Sequence, residues 1–300
     1  MIVRVLGSAA GGGVPQWNCA CANCTAARRG EQPRRTESCV AIGSAGRWLL
    51  LNCSPDIASQ IEAFAPLQPQ STRGTPIAGM LFTDANVDHV GGLAVLRQTG
   101  MHRFVLRSTS IVREIATAQP AFAPFASPPH HWIDVAANAF CEPVDTGDLV
   151  GHALDVRPIP VSGSTPGYAG RLHIPGAVVA YEIRDRQSGR TLLFAPVFAA
   201  IDDELRAAVE RADLAFLDGS FYSDDELQRA QLMDKTASHL GHQPVGGEDG
   251  TLAQLREAAE KIVFTHLNNS NPMLDPSSEA AQRVRSFGAQ IAHDGMERML

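Results

Sequence analysis

The 300-residue sequence lacks any uninterrupted apolar run of the roughly 18 residues that a membrane-crossing helix needs, so no membrane insertion is expected. Its opening stretch, Met1-Ile2-Val3-Arg4-Val5-Leu6-Gly7, is too short an apolar run for a secretory leader, and a cytoplasmic location is expected. Positive charge is scarce as well. The net charge is −7 and the one basic patch, Arg28-Arg29 with Arg34-Arg35, is short, which argues against nucleic-acid binding. A phosphate-binding loop is missing too. Glycines 7 and 11–13 follow a strand-like start, but no Gly-x-x-x-x-Gly-Lys-Ser/Thr occurs, and the loop runs into cysteines rather than into a phosphate-binding helix. Low-complexity tracts and interdomain linkers are absent. Hydrophobic residues at 44% and charged residues at 19% suit an ordinary folded chain, read as one domain over residues 1–300.

Cysteine is present in small number and uneven distribution. Three of six fall in Cys19-Ala20-Cys21-Ala22-Asn23-Cys24. In a reducing compartment such a cluster points to metal before disulfide, and Cys-x-Cys-x-x-Cys supplies three thiolates of a tetrahedral structural Zn(II) shell. The fourth ligand must come from elsewhere. No base or basic helix end adjoins the cluster, which speaks against a catalytic thiol. Cys39, Cys53 and Cys141 stand alone in apolar or strand-like stretches and read as small buried residues.

Hydrophobic periodicity predicts strands over 1–6, 38–43, 47–52, 77–82, 103–107, 140–144, 153–161, 177–183, 191–195, 214–217 and 262–265. Helices are predicted over 56–64, 93–97, 110–118, 203–211, 252–261 and 277–286. Residues 44–46 and 186–190 read as hairpin turns, 119–131 as a long loop or lid, and 162–167 as an irregular stretch. Strands dominate early in each half and strand–helix units close it. That order fits an α+β fold of two β layers with helices outside.

The chemistry concentrates in Phe82-Thr83-Asp84-Ala85-Asn86-Val87-Asp88-His89-Val90-Gly91-Gly92, at a strand-to-helix junction. Helix capping by Asp or Asn is the plain alternative there, but four metal-capable groups within six residues exceed what a cap needs. An apolar strand followed by a ligand recurs at Phe216-Leu217-Asp218 and at Val263-Phe264-Thr265-His266. Asp88, His89 and His266 would give the two imidazoles and one carboxylate of a mononuclear non-haem Fe(II) centre, and the same set suits Zn(II). For His266 the plain alternative is a polar turn running into Asn268-Asn269-Ser270-Asn271. His239 and His242, three residues apart, would share a helical face and supply a proton-transfer group or a further ligand.

The frame Thr83-Asp84-x-Asn86-x-Asp88-His89-x-Gly91-Gly92 resembles the metallo-β-lactamase-fold signature Thr-His-x-His-x-Asp-His-x-x-Gly, with Asp84 and Asn86 in place of two histidines. The cysteine loop is similar to the structural zinc loop of the phosphonate-pathway cyclic phosphodiesterases on that fold. With Val14-Pro15-Gln16-Trp17-Asn18-Cys19, Asp218-Gly219-Ser220-Phe221 and His266-Leu267-Asn268-Asn269-Ser270-Asn271-Pro272, the chain resembles the coenzyme PQQ synthesis protein B family nearly end to end. The resemblance implies an αββα sandwich with metal at the sheet ends. It implies that the first metal site of the two-metal hydrolases is dismantled at Asp84 and Asn86, which become weak ligands or outer acceptors, with no histidine at 162–166 and no aspartate near Ala195-Pro196. The second site survives as Asp88, His89 and His266.

On that resemblance the expected activity is Fe(II)- and O₂-dependent hydroxylation of the tyrosine ring in the cross-linked Glu-Tyr unit of the PQQ precursor peptide. His239, His242 or Asp218 would orient substrate or move protons. Implied partners are the cross-linked peptide or excised dipeptide, O₂, other PQQ-pathway proteins and a second copy in a homodimer. Two alternatives belong to other classes. One is a soluble carrier moving PQQ or its precursor toward the periplasm, and the other is a zinc-dependent phosphodiesterase. The phosphodiesterase histidine that completes the cysteine site corresponds here to Asn269.

Overall fold

A computed structural model describes residues 1–44, 46–98, 103–141 and 154–300. The first half runs β1 (Ile2–Gly7), α1 (Ala22–Arg29), β2 (Cys39–Ser44), β3 (Arg47–Leu51), α2 (Ile57–Glu62) and β4 (Ile77–Leu81). It continues through α3 (Val87–Val90), α4 (Gly92–Val95), β5 (Val105–Ser108), α5 (Ser110–Thr117) and β6 (His131–Asp134). The second half runs β7 (Leu154–Pro160), β8 (Val179–Asp185), β9 (Thr191–Ala195), α6 (Asp203–Arg211) and β10 (Leu214–Asp218). Then come α7 (Glu226–Arg229), α8 (Ala237–Leu240), α9 (Thr251–Gln254), β11 (Ile262–Thr265), α10 (Glu279–Ser286), β12 (Gln290–Ile291) and β13 (Glu297–Met299).

Two sheets result, ordered β13-β1-β2-β3-β4-β5-β6 and β12-β11-β10-β9-β8-β7. Their inner strands, such as β4, β9 and β10, are buried on both faces, so these stretches read as apolar runs rather than as alternation. In β3, Leu49 and Leu51 face the opposing sheet, where they meet the layer holding Tyr181, Phe194 and Phe216. Trp48 and Leu50 face outward onto the cluster that contains Ile57, Leu93 and Val112 of the first helical layer. β9 divides the same way, with Leu192 and Phe194 inward and Leu193 and Ala195 toward Leu205, Val209 and Val284. The αββα sandwich expected from the sequence is the observed architecture.

The longer helices carry ordinary start signals. Thr109, Asp202 and Ser278 each accept a hydrogen bond from a backbone N–H three residues on, which satisfies an otherwise unpaired donor. Both expected hairpins form, β2–β3 and β8–β9; Ala45 of the first turn lies outside the described residues.

Several expectations are corrected. The helix over 252–261 is two pieces, α9 and a 3₁₀ turn over Arg256–Lys261, because Leu255 leaves helical geometry at φ −116°, ψ 29°. The 119–131 loop contains a 3₁₀ turn at Ala123–Ala126 and ends where β6 begins. β6 is a half-exposed edge strand with no apolar alternation, defined only by pairing parallel to β5. β12 and β13 are two and three residues long and were not visible as patterns. Of the expected strand over 140–144, Cys141 bridges to Val156 and the remainder beyond it lies outside the described residues, as does position 153.

β4 runs parallel to β3 and β5, and β10 runs parallel to β9 and β11. The turns after β4, β10 and β11 hold the polar residues, in the crevice beyond the carboxyl ends of parallel strands where such folds bind ligands.

Candidate metal centre

The chain leaves β4 through Thr83, whose N–H donates to Asn52 Oδ1 at 3.0 Å, tying the turn to the end of β3. The turn then enters α3, whose first residues place Asp88 and His89 side by side. The backbone is clamped there, since Cys53 N donates to His89 O at 2.7 Å. His266 follows β11 with φ +58°, a left-handed conformation that a side chain with a Cβ resists and that recurs where function fixes the backbone. Gly219 makes room for that turn, because a Cβ on it would lie 2.8 Å from the carbonyl of Thr265.

These turns bring Asp88, His89 and His266 together, with ligand atoms mutually within 4.8 Å. His89 Nε2 lies 3.8 Å and His266 Nε2 3.1 Å from Asp88 Oδ2. The far side of each ring is also held. His89 Nδ1 bonds Asp84 Oδ2 at 2.7 Å, and His266 Nδ1 bonds Ser220 Oγ at 2.8 Å. Ser220 in turn donates to Asp218 Oδ1 at 2.6 Å, so its oxygen accepts from His266. Both imidazoles can therefore keep a proton on Nδ1, which leaves Nε2 beside Asp88 as the atom that a metal would take in place of a proton. His89 Nε2 is buried without a hydrogen-bond partner. An unpaired buried polar atom costs about 1–3 kcal/mol, and a divalent cation among these groups satisfies it. The three residues fit a metal.

Charge supports the same reading. Burial works against a charged His89, yet the Asp84 and Asp88 carboxylates raise it to about 9. Burial likewise opposes ionisation of Asp88, but His89 and His266 hold its carboxyl well below the usual range. A proton and a cation compete for the same lone pairs here.

Asp84 and Asn86 stand apart from the convergence point. Asp84 is fully buried, with Oδ2 on His89 and Oδ1 accepting from both nitrogens of Asn86 at 2.8 Å. The carboxylate is an outer partner of a ring, and Asn86 sits at the start of α3 while its own side chain braces Asp84.

A second trio, Asp218, His242 and His266, also converges. Asp218 is already committed, however. Its oxygens accept from Ser220, from His242 Nδ1 at 2.7 Å and from Phe198 N at 3.3 Å. That arrangement is a carboxylate–imidazole pair, with the Asp218 carboxylate raising His242 against its burial. The His242 ring stacks on His266 at 5.7 Å. The expected shared face of His239 and His242 does not form. Gly241 ends α8 in a left-handed turn, so His242 falls beyond the helix, while His239 is exposed and bonded to Thr236 Oγ1 at 3.1 Å.

The cysteine cluster is a separate assembly. Cys21 precedes α1, Cys24 lies in its first turn, and Arg28 binds the carbonyls of Cys19 and Gln16 to fix the loop. The three sulfurs converge. Asn269 Nδ2 donates to the sulfurs of Cys19, Cys21 and Cys24, at 3.1, 3.6 and 3.4 Å, so the amide covers the open side of the cluster. Burial pushes the Cys24 thiol up to about 11, whereas hydrogen bonds from Cys24, Cys19 and Asn269 outweigh burial and lower Cys21.

Residues 47–267 match the family model described as a beta-lactamase superfamily domain. The chain is 36% identical to coenzyme PQQ synthesis protein B of Stutzerimonas stutzeri over 99% of each sequence. It is 37% identical to the protein of the same name in Ectopseudomonas mendocina over the whole of both. A zinc-bound crystal structure of PqqB from Methylobacterium extorquens superposes with a TM-score of 0.91 at 35% identity over the whole of both chains. The chain belongs to the coenzyme PQQ synthesis protein B family. A diphosphatase of the PhnP family, 20% identical with a TM-score of 0.68, covers the whole chain and 97% of its own, and shares the fold.

Within this family member the centre opens into a cavity of about 390 Å³ whose walls include Asn86, Asp88, Arg171, Ser220, His242 and His266. Two of these carried no role in the sequence reading. Ser220 lies in the Asp218-Gly219-Ser220-Phe221 stretch that carries the resemblance, and its link between Asp218 and His266 arises only where the strand ends come into register. Arg171 lies in a loop with no local signal.

Proposed function

We propose that the protein acts in PQQ synthesis as a mononuclear non-haem Fe(II) oxygenase that hydroxylates the tyrosine ring of the cross-linked Glu-Tyr precursor. The observation that carries this reading is the unpartnered His89 Nε2 facing Asp88 and His266, an open set of two imidazoles and one carboxylate. Fe(II) held there would supply the one-electron chemistry through which O₂ reacts with an aromatic ring. Family membership supports the pathway, and the hydrogen-bonded state of Asp84 and Asn86 argues against a second metal beside the first.

The chain's own groups divide the remaining work. Asp84 and Ser220 fix the two ligand rings through Nδ1. Asp218 holds the His242 ring in one tautomer and stabilises it when charged, so His242 Nε2 gives or takes a proton at the cavity wall. In the overall reaction one oxygen atom enters the ring and the other leaves as water, with two electrons and two protons from an external reductant. The three thiolates of the cysteine loop would hold a structural Zn(II), with the Asn269 amide across their open side.

Reconstitution with Fe(II) under anaerobic conditions, followed by the cross-linked compound, a reductant and O₂, should give a product heavier by one oxygen. No oxygenated product with Fe(II), alongside cleavage of a phosphodiester with Zn(II), would sink this reading in favour of the hydrolase. Tight binding of PQQ with no metal-dependent turnover would favour the carrier.

A further inference from the structure

We infer that Arg171 is a carboxylate anchor of the cavity, so that the substrate is recognised through a free carboxylate group as well as through the metal. Arg171 is the one lysine or arginine among the residues lining the cavity, on a wall shared with Asp88, His242 and His266. Among the described residues its guanidinium has neither an ion-pair nor a hydrogen-bond partner; Arg34, Arg73 and Arg103 are also without one, but they do not line this cavity. In a protein of net charge −7, an exposed guanidinium left unpaired at the wall of a metal-capable cavity is available for a ligand.

The loop that carries it is built to hold one shape. Thr165 N donates to Leu172 O at 2.8 Å, and Leu172 N returns a bond to Thr165 Oγ1 at 2.9 Å, closing the loop on itself. Tyr168 pins the loop to the metal turn by donating to the carbonyl of Ala85, between Asp84 and Asn86. Gly170 and Arg171 then take successive left-handed conformations, φ +93° and +53°. That is ordinary for glycine and unfavourable for arginine, and such strain persists only where surrounding bonds impose it. Gly167 faces the guanidinium, and a Cβ there would lie 3.6 Å from Arg171 Nε.

The ligand chemistry follows from this geometry. The planar fork of arginine matches a carboxylate in two parallel hydrogen bonds. A single cation suits a singly charged group better than a phosphoryl group, which gathers several cations and backbone N–H donors. The inference rests on the proposed substrate, whose glutamyl portion carries carboxylates, and it gives the ring a fixed distance from the metal through a contact remote from the reacting carbon.

Calorimetric titration of the metal-loaded full chain with the cross-linked Glu-Tyr compound tests it. Arg171→Gln should weaken binding by about 10–100-fold, the range for losing a charge-assisted hydrogen bond, and Arg171→Lys by less, with bound metal equal to wild type in both. Methyl esterification of the compound should weaken wild type by a similar factor and change Arg171→Gln little. The assignment is overturned if Arg171→Gln binds the acid as tightly as wild type, if it keeps the full wild-type preference for acid over ester, if wild type prefers a phosphate monoester to the acid, or if wild type does not bind the compound at all. The readout is binding, so the two readings separate. Failure of oxygen transfer with these affinities intact would sink the hydroxylase and leave Arg171 in place. Oxygen transfer by Arg171→Gln with unchanged KM would do the reverse.

Discussion

The two metal-capable assemblies of this protein are made in opposite ways. Cys19, Cys21 and Cys24 converge because six consecutive residues wrap into the start of α1, and only Asn269 is brought from afar. Asp88, His89 and His266 converge because two sheets stack and their strand ends meet, with Asp88 and its nearest imidazole contact 178 positions apart in the chain. The local cluster has sulfurs that face one another with the Asn269 amide covering their open side, which suits a structural site. The assembled centre has rings braced from behind by Asp84 and Ser220, an open cavity in front and a titratable pair alongside, the arrangement of a working site.

They are nevertheless joined by one segment. Residues 266–271 begin with the His266 ligand and carry Asn269 three residues later. Asn23 of α1 donates to the carbonyls of Asn269 and Asn271 at 3.0 and 2.9 Å, and Glu226 accepts from Ser270 at 2.6 Å. Whatever loosens this strap reaches both assemblies.

That contrast can be broken most sharply at the ligands. His89→Ala or His266→Ala should abolish oxygenation and iron binding at the centre while zinc at the cysteine loop survives, as read by metal analysis and product mass. Retention of wild-type rates would remove the triad. Next in size, Cys21→Ser should release the loop metal and lower stability by about 4 kcal/mol where free metal exceeds its dissociation constant a thousandfold. A thermal melt indifferent to chelator in wild type would contradict that. The same variant should weaken iron at the centre only several-fold, through the strap.

A third test uses pH on the strap itself. Burial raises the Glu226 carboxyl to about 7, above its ordinary 4.5, with the hydroxyl of Ser270 and the N–H of Tyr222 only partly offsetting it. The folded protein therefore holds this proton more tightly than the unfolded chain. Its contribution to stability is complete below about 4.5 and is lost as pH rises to about 7, on the order of 3 kcal/mol in all. Denaturant unfolding of wild type against Glu226→Gln over that interval should show a smaller fall in the variant; parallel curves would show that Glu226 does not titrate there. The smallest effect is expected at Asp84→Asn, which should cost about 10–100-fold in metal affinity at the centre by loosening the His89 ring, and nothing at the cysteine loop. An unchanged iron titration would assign Asp84 to packing alone.

The difference between the assemblies also explains what could be read from the sequence. Hairpins, the two-layer architecture and strand-end ligands follow from apolar runs bounded by turn residues, and these patterns are local. The cysteine loop was legible for the same reason. The shared helical face expected of His239 and His242 is absent, because Gly241 stops α8 between them and a spacing of three says nothing about where a helix ends. β6, β12 and β13 carry no alternation of their own and exist as partners of stronger strands. Ser220 and Arg171 were out of reach because each acquires its neighbours through the fold: one by the register of β10 on β11, the other by a loop tied to Ala85.

The most direct test of the central claim is anomalous scattering at the iron and zinc edges from crystals of the protein reconstituted with both metals. The account predicts one iron peak among Asp88, His89 and His266 and one zinc peak among Cys19, Cys21 and Cys24. A metal held between Asp84 and Asn86, or no metal at the triad, would contradict it.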